Sequence, residues 1–406
     1  MQNHDKYILA INCGSSSLKF GLYHSQSCER ELSGSITDID MPQGTFKIVG
    51  KDGKLVENRD EYYNNHNGAA RELAVWMRDR IAKYPLESIG HRMVFGGPDK
   101  RDAELITPEL ISELHNYIYL APNHLSEEIS TIQLFHDTFK DIPQVVCYDT
   151  AFHHDMPWCA KCYPLPENYQ KEGLVRYGFH GLSFEYVMSQ LRAKDRNINK
   201  KKIIIAHLGS GSSMVAVEHG KSVETTMGVS PMGGLVMGTR SGDLDPGAVL
   251  FLLKRTHASV SDVDELLSRH AGLKAIAGTG NIVELLKEEH HNKKAAEAIA
   301  LFCYQARKHL GALAAAMGGL DVLVFTGGIG ENSAEIRERI CHKLGFLGVD
   351  VEHKLNQQNE ASISSKRSKV EVMAIPTNEE LMIVKHARRI THSKQRYQEF
   401  ENIDLD

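Results

Sequence analysis

Ile8-Leu9-Ala10-Ile11-Asn12-Cys13-Gly14-Ser15-Ser16-Ser17-Leu18-Lys19-Phe20 is matched, 195 residues later, by Ile203-Ile204-Ile205-Ala206-His207-Leu208-Gly209-Ser210-Gly211-Ser212-Ser213-Met214-Val215. In each stretch a β-branched apolar run meets a polar residue, passes through a Gly/Ser turn and returns as a second apolar run. That pattern reads as strand, turn, strand. A tight glycine turn lets main-chain amides converge on an anion, and seryl hydroxyls add short donors without bulk. Because the signature occurs twice, two similar halves are expected, each offering a phosphate-gripping hairpin. Strands followed by helices in both halves make the expected class α/β, with the duplication visible only in these signatures.

The chain has 406 residues, which favours two domains. Hydrophobic residues make up 42%, enough for a sizeable core. A formal net charge of −5 argues against nucleic acid or an anionic membrane as the main partner, since both select clustered Lys and Arg. No apolar run approaches the ~20 residues needed to cross a bilayer, and Met1-Gln2-Asn3-His4-Asp5-Lys6 lacks the basic and apolar regions of a signal peptide. A cytoplasmic protein with small ligands is therefore expected. Seven cysteines spread over such a length suit reduced thiols better than a disulfide framework, and Cys159-Ala160-Lys161-Cys162 has no second pair to complete a metal site.

Short apolar runs separated by turns open the chain and predict antiparallel strands. Ala70, Leu73, Ala74, Met77 and Ile81 share a helical face, as do Ile129, Ile132 and Phe135. Gln144 to Tyr148 reads as a buried strand. The loop-like stretch after it places a domain boundary at residue 150, giving domains over 1–150 and 151–379, with a C-terminal helix over 380–406 returning to the first. In the second half, helices are expected around Val263 to Leu267 and Ala295 to Met317, a strand at Val322 to Phe325, and a further helix over Ala334 to Leu344.

A polar hairpin turn would account for Gly14 to Ser17 alone. Lys19 adds an ammonium on the returning strand that can reach phosphate, and Asn12 a neutral oxygen ligand for a hydrated metal. No P-loop or dinucleotide fingerprint occurs: the only Gly-Lys-Ser, at Gly220, has Val215 where the first glycine belongs. Phe325-Thr326-Gly327-Gly328-Ile329-Gly330-Glu331-Asn332-Ser333 reads as a strand-to-helix turn whose amides can meet a nucleotide. In Ile375-Pro376-Thr377-Asn378-Glu379-Glu380, Thr377 and Glu380 have the spacing of a capping box, which leaves Glu379 free for a metal. His91-Arg92, His180 and Arg240 lie close to glycines that let a substrate approach, and Arg forks match phosphate and carboxylate oxygens.

Taken together, these residues make the chain resemble the acetate kinase family, within the wider group of acetate and sugar kinases, heat-shock chaperones and actin. The pieces that carry the resemblance are Asn12 to Lys19, His91-Arg92, Cys147 to His153, Tyr177-Gly178-Phe179-His180-Gly181, Ala206 to Gly211, Met237 to Gly247 and Thr377 to Glu380. The resemblance implies a homodimer of two ribonuclease-H-like, actin-like ATPase domains flanking a cleft, in which Mg-ATP and a short carboxylate exchange a phosphoryl group. Carried over residue by residue, it makes Asn12 and Glu379 the Mg2+ site (Mn2+ can stand in), and Lys19, Ser15 and Ser17 a phosphate grip. His207, Leu208, Gly209, Ser210 and Gly211 with Gly328, Ile329, Gly330, Glu331 and Asn332 hold ATP or ADP. Arg92 and Arg240 hold the carboxylate and the moving phosphoryl group, His180 supports the transition state, and Asp149 is the acidic residue at the centre. Val94, His124, Phe179 and Pro231 line the acyl group.

A carboxylate is already ionised at neutral pH, so Asp149 is expected to orient an arginine or the metal and not to accept a proton. The chain departs from the family pattern at three places. Asn123 stands where a leucine is usual in the acyl wall and suits a more polar acyl group or a water. Gly181-Leu182-Ser183-Phe184 replaces a stretch with Thr and His, and Asn281 and Val283 replace an Asp and an Arg near the adenosine. The expected activity is that of acetate kinase, with propionate kinase as the nearest alternative. An ATP-binding switch of the actin and chaperone kind has no need of the Arg92, Asp149, His180 and Arg240 set.

Overall fold

The computed structural model describes residues 5–14, 17–118, 122–255 and 258–403, and their side chains except those of 122–124 and 394–403. Ser15 and the side chains of Asn123 and His124 thus lie outside the described residues. The chain divides into two compact units, Met1–Ala151 with Asn378–Asp406, and Phe152–Thr377.

In the first unit, β1 (Tyr7–Cys13), β2 (Ser17–His24), β3 (Arg30–Thr37), β4 (Gly44–Gly50) and β5 (Leu55–Glu61) follow one another through short turns, and each pairs antiparallel with the next. β6 (Leu86–Met93) joins β1 in parallel after a helical crossover, α1 (His66–Arg78). The short β7 (Glu104–Leu105) forms the edge, and after α2 (Pro122–Thr138) comes β8 (Gln144–Tyr148), parallel to β6. The sheet order is β5-β4-β3-β2-β1-β6-β8-β7. One face packs Leu9, Ile11, Leu18 and Phe20 against Ala70, Leu73, Ala74 and Met77 of α1 and Phe135 of α2, the periodicity 2 of strands meeting the 3.6 of helices. Ile81 lies beyond the end of α1. The C-terminal helix, Glu379–Ile403, packs against β1, β6 and β8.

The second unit has β9 (Ile203–Leu208), β10 (Ser212–Glu218), β11 (Lys221–Thr225), β12 (Val322–Thr326) and β13 (Glu371–Ala374), in the order β11-β10-β9-β12-β13. Alternate residues of β9 face opposite cores. Ile203 and Ile205 join Phe184, Val187 and Leu191 of α3 (Gly181–Lys194), while Ile204 and Ala206 join the apolar stripe of α4 (Lys293–Met317). After β12 come α5 (Gly327–Asn332) and α6 (Ala334–Cys341). The order β3-β2-β1-β6-β8 repeats this sheet strand for strand, with the same two antiparallel and two parallel pairings. The duplication is therefore complete in topology, although only the two opening hairpins kept a shared sequence.

Register corrects one correspondence. Counting along the sequence sets Met214 against Lys19, but the second turn is one residue shorter. Four residues separate the paired Cys13 and Leu18, and three separate Leu208 and Ser212. Asn12 therefore faces Lys19 across its hairpin, whereas His207 faces Ser213. Met214 points instead into the core.

Two further expectations change. The Gly-rich stretch after β12 is not an open turn but the short helix α5. Gly327 makes the corner at φ +76, and a β-carbon there would come 2.8 Å from the Leu208 carbonyl oxygen, so no other residue fits. The C-terminal helix is capped by Asn378, whose Oδ1 accepts from the Leu381 amide at 3.0 Å, and not by a Thr377–Glu380 box. Asn is as good an N-cap as Thr. The Thr377 hydroxyl is engaged elsewhere, donating to Ser183 Oγ at 2.9 Å.

Candidate active site

Asn12 and Arg92 lie at the carboxyl ends of the parallel strands β1 and β6, and Asp149 directly follows β8. In open α/β sheets this is the edge where ligands bind. Strand alternation sends Arg92 to this site and turns its neighbour His91 inward, where His91 Nε2 meets Gln144 Oε1 at 2.9 Å. Burial pushes the His91 pKa down to about 4, so it is a neutral core histidine.

Arg92 is held at each of its three nitrogens. Nε and Nη2 donate to the same oxygen of Asp149 at 3.1 and 2.6 Å, and Nη1 donates to Asn12 Oδ1 at 3.2 Å and to the Cys13 carbonyl at 3.1 Å. Asn12 Nδ2 in turn donates to Glu379 Oε2 at 2.9 Å. One hydrogen-bonded chain thus links Glu379, Asn12, Arg92 and Asp149. Asp149 is 1% exposed. Burial opposes the charge on Arg92, but Asp149 and then Glu379 outweigh it and hold the guanidinium above its usual pKa.

Lys19 is next to Asn12 in register, on the sheet face that also carries Ser35 and Lys47. With Arg30, Tyr23 and Glu380 these residues line a cavity of about 280 Å3. Burial, and then Glu379, raise the pKa of Glu380. The first Gly/Ser turn closes through the Gly14 amide, which donates to the Ser17 carbonyl at 2.7 Å. His66 holds the same turn. Its Nε2 meets the Gly14 carbonyl at 2.8 Å and its Nδ1 meets Glu127 at 3.1 Å. Both ring nitrogens face acceptors, which fits an imidazolium. Burial disfavours that charge, but Glu127 prevails and the pKa is raised.

In the second unit, Gly209 and Ser210 of the β9–β10 turn and Gly328, Ile329 and Asn332 of α5 share one cavity of about 770 Å3. Asn281 and Val283 line it too, but the Asn281 side chain caps the helix Ile282–Glu288, accepting from the Val283 amide at 3.0 Å and donating to Glu284 at 3.0 Å. Glu331 serves as a lock: its Oε1 accepts from the Gly327 amide at 2.9 Å and from the Thr377 amide at 2.7 Å. Gly330 and Leu208 are buried behind the cavity wall.

His180 caps α3 in the left-handed conformation, at φ +59, a strained setting for a residue with a β-carbon. Its Nδ1 is 2.8 Å from Ser213 Oγ, and its ring stacks on His207 with centroids 4.3 Å apart. His207 Nδ1 is 2.8 Å from Ser183 Oγ, so the substituted Ser183 steadies His207. His180 Nε2 and Arg240 Nη1 both approach Gly211, where a β-carbon would stand 3.2 and 3.6 Å from them. Arg240 Nη1 donates to the Pro231 carbonyl at 3.2 Å. The Phe179 carbonyl accepts from His153 Nε2 at 3.1 Å, and burial keeps His153 neutral by pushing its pKa down to about 4.

Ser213 thus occupies the place of Lys19 and holds the histidine that the sequence singled out. Ser213→Ala removes the hydroxyl beside His180 Nδ1 and is expected to lower turnover about tenfold with little change in Tm, the scale of one misaligned hydrogen bond. Steady-state kinetics beside a thermal melt check this.

Of the sequence-derived residues, the structure gathers Asn12, Arg92, Asp149 and Glu379 in the first unit, with Lys19 alongside and Val94 just past the end of β6, two residues beyond Arg92. It gathers His180, Arg240, Gly211, Phe179 and Pro231, and separately the nucleotide-turn residues, in the second. Sequence reasoning missed His66, Ser213, Glu128 and Arg337. Glu128, 2% exposed, accepts from the Val94 amide, and Arg337, fully buried, ties α5 to the segment Asn356 to Asn359.

Among the described residues, no helix is long and apolar enough to cross a membrane. The family profile described as the Acetokinase family matches residues 7–385. The acetate kinase of Rhodopseudomonas palustris (strain ATCC BAA-98 / CGA009) is 39% identical over 395 residues, covering 94% of this chain and 98% of the relative. That of Halothermothrix orenii is 37% identical and covers 95% and 100%. Among solved structures, Porphyromonas gingivalis acetate kinase superimposes with a TM-score of 0.83 at 33% identity, covering 95% of this chain and 99% of that one. A propionate kinase from Francisella tularensis subsp. tularensis SCHU S4 superimposes with a TM-score of 0.88 at 34% identity, covering 95% and 100%. With its duplicated sheet, its strand-end Arg92–Asp149 pair and these likenesses, the chain belongs to the acetokinase family.

Proposed function

We propose that this protein transfers a phosphoryl group reversibly between ATP and acetate, giving ADP and acetyl phosphate. The observation that carries the reading is Arg92, fixed by Asp149 at the strand ends beside Asn12 and Glu379. A nucleotide switch needs only the cavity of the second unit. A guanidinium held in a set direction is what an anionic acceptor and a phosphoryl group in transfer require. A carboxylate oxygen attacks the γ-phosphorus, the bond to the β-phosphate oxygen breaks, and ADP leaves. No proton need move.

In this reading Arg92 and Val94 position the carboxylate, with Phe179, Pro231 and His124 also placed at the acyl group. Lys19, Ser15 and Ser17 grip phosphate. The cavity beneath Gly209, Ser210, Gly328, Ile329 and Asn332 takes the nucleoside, with His207, Leu208, Gly211, Gly330 and Glu331 shaping its turns. Arg240 and His180 stabilise charge on the moving group, and Asp149 orients Arg92. Asn12 and Glu379 are hydrogen-bonded neighbours that each carry a hard oxygen donor of the kind Mg2+ takes. Mg2+ keeps several waters and phosphate oxygens among its ligands, so two protein donors suffice. When bound, Mg2+ neutralises phosphate charge. A homodimer belongs to the same proposal and is supported by the helix Pro246–Arg255, which buries none of its residues and exposes Leu250 and Phe251.

Trapping the product with hydroxylamine tests the activity: acetate with Mg-ATP is expected to give the hydroxamate, and no product from any short carboxylate would end the reading. The likeness to a propionate kinase supplies the second reading. It would be preferred if kcat/KM for propionate exceeded that for acetate.

A further inference from the structure

α2 carries a carboxyl group with no role in the reading above. Glu128 is 2% exposed. Its Oε2 accepts from the Val94 amide at 2.9 Å, while its Oε1 is buried without a hydrogen-bond partner. Arg92, Asp149, Cys13 and Glu127 are the charged or titratable groups that act on it, from β6, the end of β8, β1 and its own helix. We propose that Glu128 is a positioning residue of the acceptor site, fixing Val94 through its main-chain amide and setting the charge balance around Arg92.

Arg92 already faces Asp149 and Glu379. Ionised, Glu128 would be a third carboxylate acting on Arg92 and would oppose entry of an anion. Burial keeps Glu128 protonated and pushes its pKa up to about 8, despite the opposing pull of Arg92 and the Val94 amide. As pH rises through that value Glu128 ionises. The carboxylate substrate is ionised throughout this range and so contributes no change of its own. Cys13, whose thiol burial pushes up to about 12, stays protonated too.

This inference rests on the carboxylate-kinase reading, and the two fail differently. If that reading fails, no acyl phosphate forms. If this inference fails, the enzyme is active but its pH profile does not depend on Glu128. The test is the KM for acetate at saturating Mg-ATP between pH 7 and pH 9, in wild type, Glu128→Gln and Glu128→Asp, with melts as controls. In wild type, KM is expected to rise about fivefold. Glu128→Gln, neutral at every pH and still able to accept from Val94, is expected to keep the pH 7 value throughout. Glu128→Asp, drawn back from Val94, is expected to raise KM already at pH 7. A flat wild-type profile overturns the proposal even if no variant folds, and so does a Glu128→Gln profile that rises in parallel with wild type. A purely structural role would lower Tm and leave the profile unmoved.

Discussion

Arg92→Ala is expected to lower kcat/KM for acetate by about a thousandfold, or ~4 kcal/mol of transition-state stabilisation. Two losses add up. The guanidinium proposed to meet the acceptor disappears, and Asp149, 1% exposed, is left without the two donors that grip one of its oxygens at 2.6 and 3.1 Å. Breaking a buried pair from one side costs about 3–5 kcal/mol of stability in comparable cases, so the variant should also melt earlier. Arg92→Lys separates charge from geometry. An ammonium keeps the charge but cannot serve Asp149, Asn12 and the Cys13 carbonyl at once, and a fall of about thirtyfold to a hundredfold is expected. Asp149→Asn keeps the shape and loses the anion. It should raise KM for acetate and lower kcat, because its role is to orient Arg92. Near-wild-type kcat with unchanged Mg2+ dependence would remove that role, and an Arg92→Ala enzyme within tenfold of wild type would remove the acceptor assignment.

What could be read from the sequence was whatever is local. The two Gly/Ser hairpins declare themselves because strand, turn and strand are contiguous, and Asn12 ends the first of those apolar runs; Arg92 stood out by its nearby glycines, and Asp149, after the apolar run Gln144 to Tyr148, took its role from the family resemblance. The errors are local ambiguities that tertiary contacts resolved. Thr377 and Asn378 both satisfy the rules for an N-cap, and only the bond from Thr377 to Ser183 decides that Asn378 takes the role. Three glycines in four positions argued for a turn, yet the Glu331 carboxylate gathers the Gly327 and Thr377 amides and closes a helix. The pairing of Lys19 with Ser213 and not Met214 depends on one residue of turn length, which a fixed offset cannot reveal. His66, Glu128 and Arg337 were invisible for a different reason. Their partners Gly14, Val94 and Asn356 lie 52, 34 and 19 residues away, with nothing in the intervening sequence to announce the contact.

Arg337→Met is expected to destabilise the second unit by about 3–5 kcal/mol, seen as a fall of roughly 10–15 °C in its Tm. The guanidinium is fully buried, and its five N–H groups make five bonds: Nε to Asn356 Oδ1 at 2.8 Å, Nη1 to the Gly330 and Glu331 carbonyls at 2.8 Å each, and Nη2 to the Asn356 carbonyl at 2.9 Å and Asn359 Oδ1 at 2.6 Å. None of these partners is a carboxylate, so burial lowers the Arg337 pKa and Cys341 offsets it only in part. A charge kept under such conditions is there for its geometry. It collects the last carbonyls of α5, the orphan acceptors that a helix end leaves unmet, and ties them to the segment Asn356 to Asn359. Methionine fills a similar volume but satisfies none of the five. Because Gly328, Ile329 and Asn332 of the same helix line the cavity proposed for the nucleoside, the loss should also appear as a rise of about tenfold or more in KM for ATP, with KM for acetate little changed. Arg337→Lys should recover only part of either effect, since one ammonium cannot reach acceptors on both sides. Were Tm to fall while KM for ATP held, Arg337 would be a fastener of the fold alone, and the orientation of α5 would have to come from Glu331.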